Sequence, residues 1–298
     1  MRRSGPAGPP AVWGMVAATL LWGATFVVVR DSLGHLTPPA LVAARFGAAA
    51  ALCAVAMLAR RRRVDRTTLT GGVVTGLATA GGYLFQAIGL TSTSAGSSAF
   101  LTCSGTLLAG VFAWPLLGQR PTAWLASGLA MATIGSALLS LRANGSLGVG
   151  EAWTLLGALV YALQIVGVAH WASRTDALAL AGVQAAVVAL CTLPLAGNVV
   201  GQLEALDRAA WARLGYLIVC GSLVAPLLQV LAQRRLPPGR VGLLFALEPV
   251  FALGFAVTVG GERFVPRWWV GSALILCAVV MVEWRAARGA ATTPTATA

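Results

Sequence analysis

Lysine is absent from the 298-residue chain, acidic residues number only nine and histidines two, and charged residues of every kind make up 10%. A soluble domain carries roughly 25% charge, so composition alone argues against a water-soluble all-α protein. The five cysteines (Cys53, Cys103, Cys191, Cys220 and Cys277) all lie inside apolar runs and form no CxxC pair. They read as small core residues, which excludes a disulfide framework and a thiolate metal site. His35 and His170 stand apart in the sequence, and two isolated histidines make no metal cluster. No Walker A, GxSxG or HExxH pattern occurs. ATP-driven transport by this chain alone is therefore unsupported, as are a hydrolase elbow and a zinc-protease site. No cofactor and no metal is expected.

What the chain has instead is apolar length: 58% of it is hydrophobic and its mean hydropathy is +0.81. About 20 residues at ~1.5 Å each cross a ~30 Å hydrocarbon core. Ten runs approach or exceed that length, over 11–30, 38–59, 69–90, 96–117, 122–141, 151–172, 177–197, 211–233, 240–260 and 266–285. The basic stretch before the first run resembles the start of a signal peptide, but the run itself is too long for a cleaved apolar region. The expected fold is an all-α polytopic membrane protein. Residues 1–10 form an N-terminal tail, 11–145 and 150–286 two five-helix units, and 287–298 a C-terminal tail.

The formal charge of +12 comes wholly from arginines that collect between the apolar runs. That pattern is a topology signal, and nucleic acid is not an expected partner. With the N-terminus cytoplasmic, the inner side holds Arg2, Arg3, Arg60 to Arg63, Arg66, Arg120, Arg174, Arg234, Arg235, Arg240, Arg285 and Arg288. The outer side holds Arg30, Arg142, Arg208, Arg213, Arg263 and Arg267, so fourteen stand against six. Both termini are expected inside a plasma membrane. The Arg60–Arg63 run is also a candidate contact for anionic lipid headgroups. The expected partners are a small-molecule substrate, the bilayer and a second copy in a homodimer.

The chain matches itself. A shift of 143 residues lays Leu84-x-Gln86 on Leu227-x-Gln229, Gly96 on Gly239 and Gly118-Gln119-Arg120 on Gly261-Glu262-Arg263. A shift of 139 lays Trp22 on Tyr161. Each half holds five runs, an odd number, so the halves enter the membrane in opposite directions. A five-plus-five inverted repeat is a transporter signature, with the substrate site near the midplane.

A few polar residues lie inside these runs. Glu248 falls near the middle of the ninth, where a carboxylate costs ~2.5–3.5 kcal/mol and faces a cavity or a partner. It is a candidate proton-coupling site or contact for a cationic substrate group. Pro249 beside it removes an amide donor and predicts a kink. Arg45, about seven residues into the second run, either pairs with Glu248, binds an anionic substrate group or snorkels to the interface. Trp22, Phe26, Tyr83, Tyr161 and Phe245, with Gln86, Gln164 and Gln229, are candidate cavity linings. The competing reading for each aromatic is plain helix packing. For the amides it is hydrogen bonding between helices. Trp13, Trp211, Trp268, Trp269 and Trp284 sit at run ends and suit interfacial belts.

Leu21-Trp22-Gly23-Ala24-Thr25-Phe26, Arg45, Leu247-Glu248-Pro249 and Gly261-Glu262-Arg263 together resemble the signature of the EamA-type branch of the drug/metabolite transporter superfamily. The resemblance extends over about 11–288 and implies export or import of small organic solutes by alternating access. It also implies that helices one to four and six to nine surround a cavity, with five and ten peripheral. The first half departs from the pattern at Gln119, where such repeats often carry glutamate. The reading is a secondary transporter, directed outward, for a small metabolite, amino-acid-like solute or drug, driven in one version by protons. The alternative is a membrane-embedded enzyme or accessory protein acting on lipid-linked substrates; a channel is a third class.

Overall fold

The computed structural model describes residues 9–140, 148–259, 261 and 266–291. Arg2, Arg3, Arg142 and the Glu262-Arg263 part of the Gly261-Glu262-Arg263 match lie outside the described residues. Among those described, nine helices are long and apolar enough to cross a membrane, and a shorter apolar tenth sits between the fourth and sixth. In chain order the spans are Pro9–Ser32, Pro38–Ala59, Arg66–Leu90, Ala95–Leu117, Ala123–Ser140, Val149–Arg174, Ala177–Leu195, Arg208–Gln233, Pro238–Thr258 and Arg267–Ala291. No strand is present among the described residues, so the protein is an all-α, multi-pass membrane protein.

Several boundaries are set by polar caps that an apolar run does not reveal. Asp65 accepts the Thr68 amide at 2.7 Å and starts the third span at Arg66. Asp207 accepts the Ala210 amide at 2.7 Å and starts the eighth at Arg208. Each therefore opens one turn before its run. A carboxylate here satisfies one of the free amides at a helix start. Between the seventh and eighth spans lies a short helix, Val199–Glu204, capped by Asn198, which is too brief to register as a span. The tenth span continues to Ala291, so residues 287–291 extend the helix instead of opening a tail.

The second and third spans pack on the seventh, the third and fourth on the sixth, and the first against the eighth and ninth. The fifth and tenth pair with each other at the edge. Polar ties mark the two ends of the bundle. Arg62 meets Asp176 at 3.3 Å and the Arg234 Nε donates to the Ala172 carbonyl at 3.0 Å. These join the 2–3 and 6–7 connections and the end of the eighth span at one end. At the other, Arg213 lies 3.3 Å from the His35 ring nitrogen. Trp13, Trp211, Trp269 and Trp284 are exposed near span ends, as suits tryptophan at a membrane interface.

Candidate functional site

Two helix irregularities frame the centre of the bundle. In the ninth span the helix stops at Phe245 and resumes at Glu248, with Ala246 and Leu247 in tight turns whose amides donate three residues back. Pro249 lies in the first turn of the second segment, where its missing amide costs nothing, and it cannot continue the ladder from the first. The sequence expectation of a kink at Pro249 thus becomes a full break. Glu248 sits in the first turn of an 11-residue half-helix, whose N-terminal dipole favours negative charge.

In the eighth span, Leu217–Val224 forms a π-helical stretch in which the Ala225 amide reaches back to Cys220. Pro226 has no amide to offer the preceding turn, and the Gly221 carbonyl accepts the Trp22 indole N–H at 3.0 Å. Lost and diverted ladder bonds of this kind widen a helical turn, and such turns recur at functional sites.

Between these segments lies a cavity lined by Trp22 and Thr25 of the first span, Phe46 of the second, and Thr79, Tyr83 and Gln86 of the third. Thr102 and Thr106 of the fourth, Tyr161, Gln164 and Ile165 of the sixth, and Ala181, Gln184 and Ala185 of the seventh continue the wall. Ser222, Pro226 and Gln229 of the eighth and Phe245 and Glu248 of the ninth close it. Among the described residues the fifth and tenth spans contribute nothing. The space open to the centre of a water-sized sphere is about 40 Å³, room for about three waters. The centre is narrow.

Of the residues the sequence nominates, Trp22, Tyr83, Gln86, Tyr161, Gln164, Gln229, Phe245 and Glu248 all reach this one cavity. Trp22 stacks on Phe245 with ring centres 5.3 Å apart, and Tyr83 meets Tyr161 edge-on at 5.4 Å. The amides are bonded to each other and to hydroxyls. Gln86 Nε2 donates to Thr102 Oγ1 at 3.1 Å, and Gln229 Nε2 donates to Gln164 Oε1 at 3.1 Å and Gln233 Oε1 at 2.9 Å. Phe26 is not part of the wall; it packs in a separate apolar cluster with Leu41 and Leu217.

Glu248 is 5% exposed, and its carboxyl makes no hydrogen bond or ion pair among the described residues. Arg45 lies directly behind the wall. It is 2% exposed, so it does not snorkel, and it forms no ion pair with Glu248 among the described residues. Its guanidinium lies 5.0 Å from the Tyr83 ring centre and 5.3 Å from that of Phe46. Its Nε donates to Ser222 Oγ at 2.7 Å, and one terminal nitrogen is buried without a partner. Because Ser222 accepts from Arg45, its own hydroxyl proton is free for an acceptor in the cavity. A bonded guanidinium makes that hydroxyl a stronger donor.

The cavity also recruits Thr25, Phe46, Thr79, Thr102, Thr106, Gln184 and Ser222, which sequence reading passes over. Gln184 carried a signal, being a lone amide inside an apolar run. It donates to Thr75 at 2.7 Å. The threonines carried little, because a threonine can bond its own helix anywhere in a span.

The family model for EamA-like transporters matches residues 9–141 and again 148–284. The chain belongs to the EamA-like transporter family. Among its relatives, a protein of Archaeoglobus fulgidus described as an uncharacterized transporter is 27% identical over 91% of this chain and 85% of its own. Another, from Streptantibioticus cattleyicolor and described as a probable terminal-alkyne amino-acid exporter, is 26% identical over 92% and 94%. A solved crystal structure shares the fold with a TM-score of 0.74 and 22% identity, over 93% of this chain and 98% of that one.

Proposed function

We propose that this EamA-family protein exports a small amino-acid-like solute across the plasma membrane by alternating access, with Glu248 exchanging a proton for the substrate's ammonium group. The observation that carries the reading is a buried, unbonded carboxyl at a helix break, facing one narrow cavity walled by stacked aromatics and amides. Glu248 suits an ammonium group, the Trp22–Phe245 stack suits an apolar side chain, and the Ser222 hydroxyl backed by Arg45 suits a carboxylate. The relative described as an amino-acid exporter supports the substrate class and direction.

An inverted repeat underlies the alternation in this reading. It is supported by the two matches to the family model. It is also supported by the glycines paired in the sequence, Gly118 and Gly261, which share the left-handed backbone (φ 69° and 67°) that ends a helix.

The test compares solutes inside and outside cells that express wild type, Glu248→Gln or no transporter, at matched membrane levels. A solute driven outward by wild type and returned to baseline by the variant supports the reading. Undiminished gradient-driven flux in Glu248→Gln would remove Glu248 from the mechanism.

A further inference from the structure

A second cavity of about 880 Å³ opens at the end of the bundle where the fourth and tenth spans finish and the fifth and ninth begin. Arg120, Arg240, Arg285 and Arg288 reach it from three separate stretches of chain, and among the described residues no acidic residue lines it. Arg240 is engaged by the carboxylate of Glu283 through two of its nitrogens. The other three are exposed, and each stacks on a tryptophan: Arg120 on Trp114 at 5.1 Å, Arg285 on Trp124 at 4.5 Å and Arg288 on Trp284 at 4.1 Å. A guanidinium lying over a ring keeps its N–H edges in the ring plane, where an oxyanion can take two of them at once.

We infer that this cavity binds the phosphate of an anionic phospholipid, with the acyl chains leaving along the apolar surface beside it. Charge selects the headgroup: the lining is cationic and the tryptophans beside it are about half exposed, which is the arrangement of an interfacial lipid site. The apolar rim selects a lipid over free phosphate, since Trp114, Leu116 and Trp284 at 50%, 58% and 54% exposure offer surface that an inorganic ion does not use. The Arg60–Arg63 run, the site suggested by sequence, has the charge but lines none of the cavities described here, and its Arg62 is occupied by Asp176. The pocket is built against the start of the ninth span, at Pro237, Gly239 and Arg240. A lipid held there braces the segment that leads to Glu248.

The test is native mass spectrometry of the full chain purified with mixed phosphatidylglycerol and phosphatidylcholine. At about a fivefold factor for each arginine near a charged surface, the double variant Arg120→Gln/Arg285→Gln should bind phosphatidylglycerol about 30-fold more weakly. Phosphatidylcholine binding should be unchanged, and replacing Arg60 to Arg63 with glutamine should leave phosphatidylglycerol in place. Unaltered binding in the double variant, or an equal loss in the Arg60–Arg63 variant, would overturn the assignment. Displacement of the lipid by equimolar inorganic phosphate would overturn it too, in favour of a free-phosphate site. A photoreactive phosphatidylglycerol on wild-type protein gives a readout independent of variant folding. Labelling of 110–125 and 282–288 is expected, and labelling confined elsewhere would refute the site.

Discussion

Arg45 and Ser222 offer an asymmetric test of the site's energetics. Their bond runs between the second span and the π-helical stretch of the eighth, at 2.7 Å, with the arginine 2% exposed. Removing the Ser222 hydroxyl leaves a buried guanidinium with a second nitrogen unpartnered, beside one that already is. Hydrogen bonds to charged groups contribute about 1.5–3 kcal/mol, and the loss of a buried partner is felt in full. Ser222→Ala should therefore destabilise by about 1.5–3 kcal/mol. Arg45→Met removes the charge together with its need for a partner, so in that background Ser222→Ala should cost under about 0.5 kcal/mol. The coupling is measured by a double-mutant cycle, using reversible unfolding in mixed detergent micelles. Equal costs of Ser222→Ala in both backgrounds would show that the guanidinium does not depend on this hydroxyl. The view of Ser222 as a donor primed by Arg45 would fall with it.

Other consequences can be checked on the same preparation. Gly242 touches the fourth span so closely that an added Cβ would lie 2.6 Å from the Thr106 carbonyl oxygen, whereas Gly254 has open space. Gly242→Ala should cost about 1–3 kcal/mol and Gly254→Ala almost nothing, as read by thermal unfolding. Trp22→Phe keeps a ring against Phe245 but leaves the Gly221 carbonyl without its indole donor, a loss of about 1–3 kcal/mol. Faster amide exchange over Leu217–Val224 should report it. The Asp65 carboxyl is held below the usual carboxylate range by its hydrogen bonds with Thr68. Its support for the third span is therefore full above the ordinary carboxylate range and is lost as pH falls through the depressed native value. Protection of the amides at residues 66–69, taken relative to the intrinsic exchange rate at each pH, should fall on acidification in wild type, and far less in Asp65→Asn, which caps without a charge.

The fold was legible because spanning length is a one-dimensional property. A run of ~20 apolar residues has almost no alternative to a helix, since every backbone polar group must be satisfied within the segment. The polar residues that reach the cavity were legible for the same reason: Glu248, Gln86, Gln164 and Gln229 cannot face lipid cheaply, so they turn inward. What could not be read was which inward-facing groups meet. Arg45 satisfies every sequence criterion for the cavity, yet it stands behind Phe46 and Tyr83, with its guanidinium over their rings. Phe26 shares a helix with Trp22 but faces a different cluster, a matter of helix rotation that hydropathy does not encode. The π-helical stretch was also hidden, since it combines Pro226 with the Trp22 indole, 199 positions from the Gly221 carbonyl that it bonds.

A centre with room for about three waters must enlarge to admit a solute of the proposed, amino-acid-like size. The ninth span shows where the strain of enlargement would fall. Its first segment, Pro238–Phe245, is locked to the fourth span by the close approach of Gly242 to Thr106. Its second, Glu248–Thr258, is locked to the first span at Gly23, where an added Cβ would lie 2.8 Å from Phe251 and 3.1 Å from the Glu248 carbonyl oxygen. The first segment packs mainly on the fourth span and the second mainly on the first, and the two are joined through Ala246 and Leu247. That joint has already given up its regular helical ladder, so bending it breaks few bonds. Glu248 is the first residue beyond it. In the proposed mechanism a ligand or proton bound by that carboxyl acts at the joint itself, and Gly23, which follows Trp22, is where the first span packs closely on the second segment.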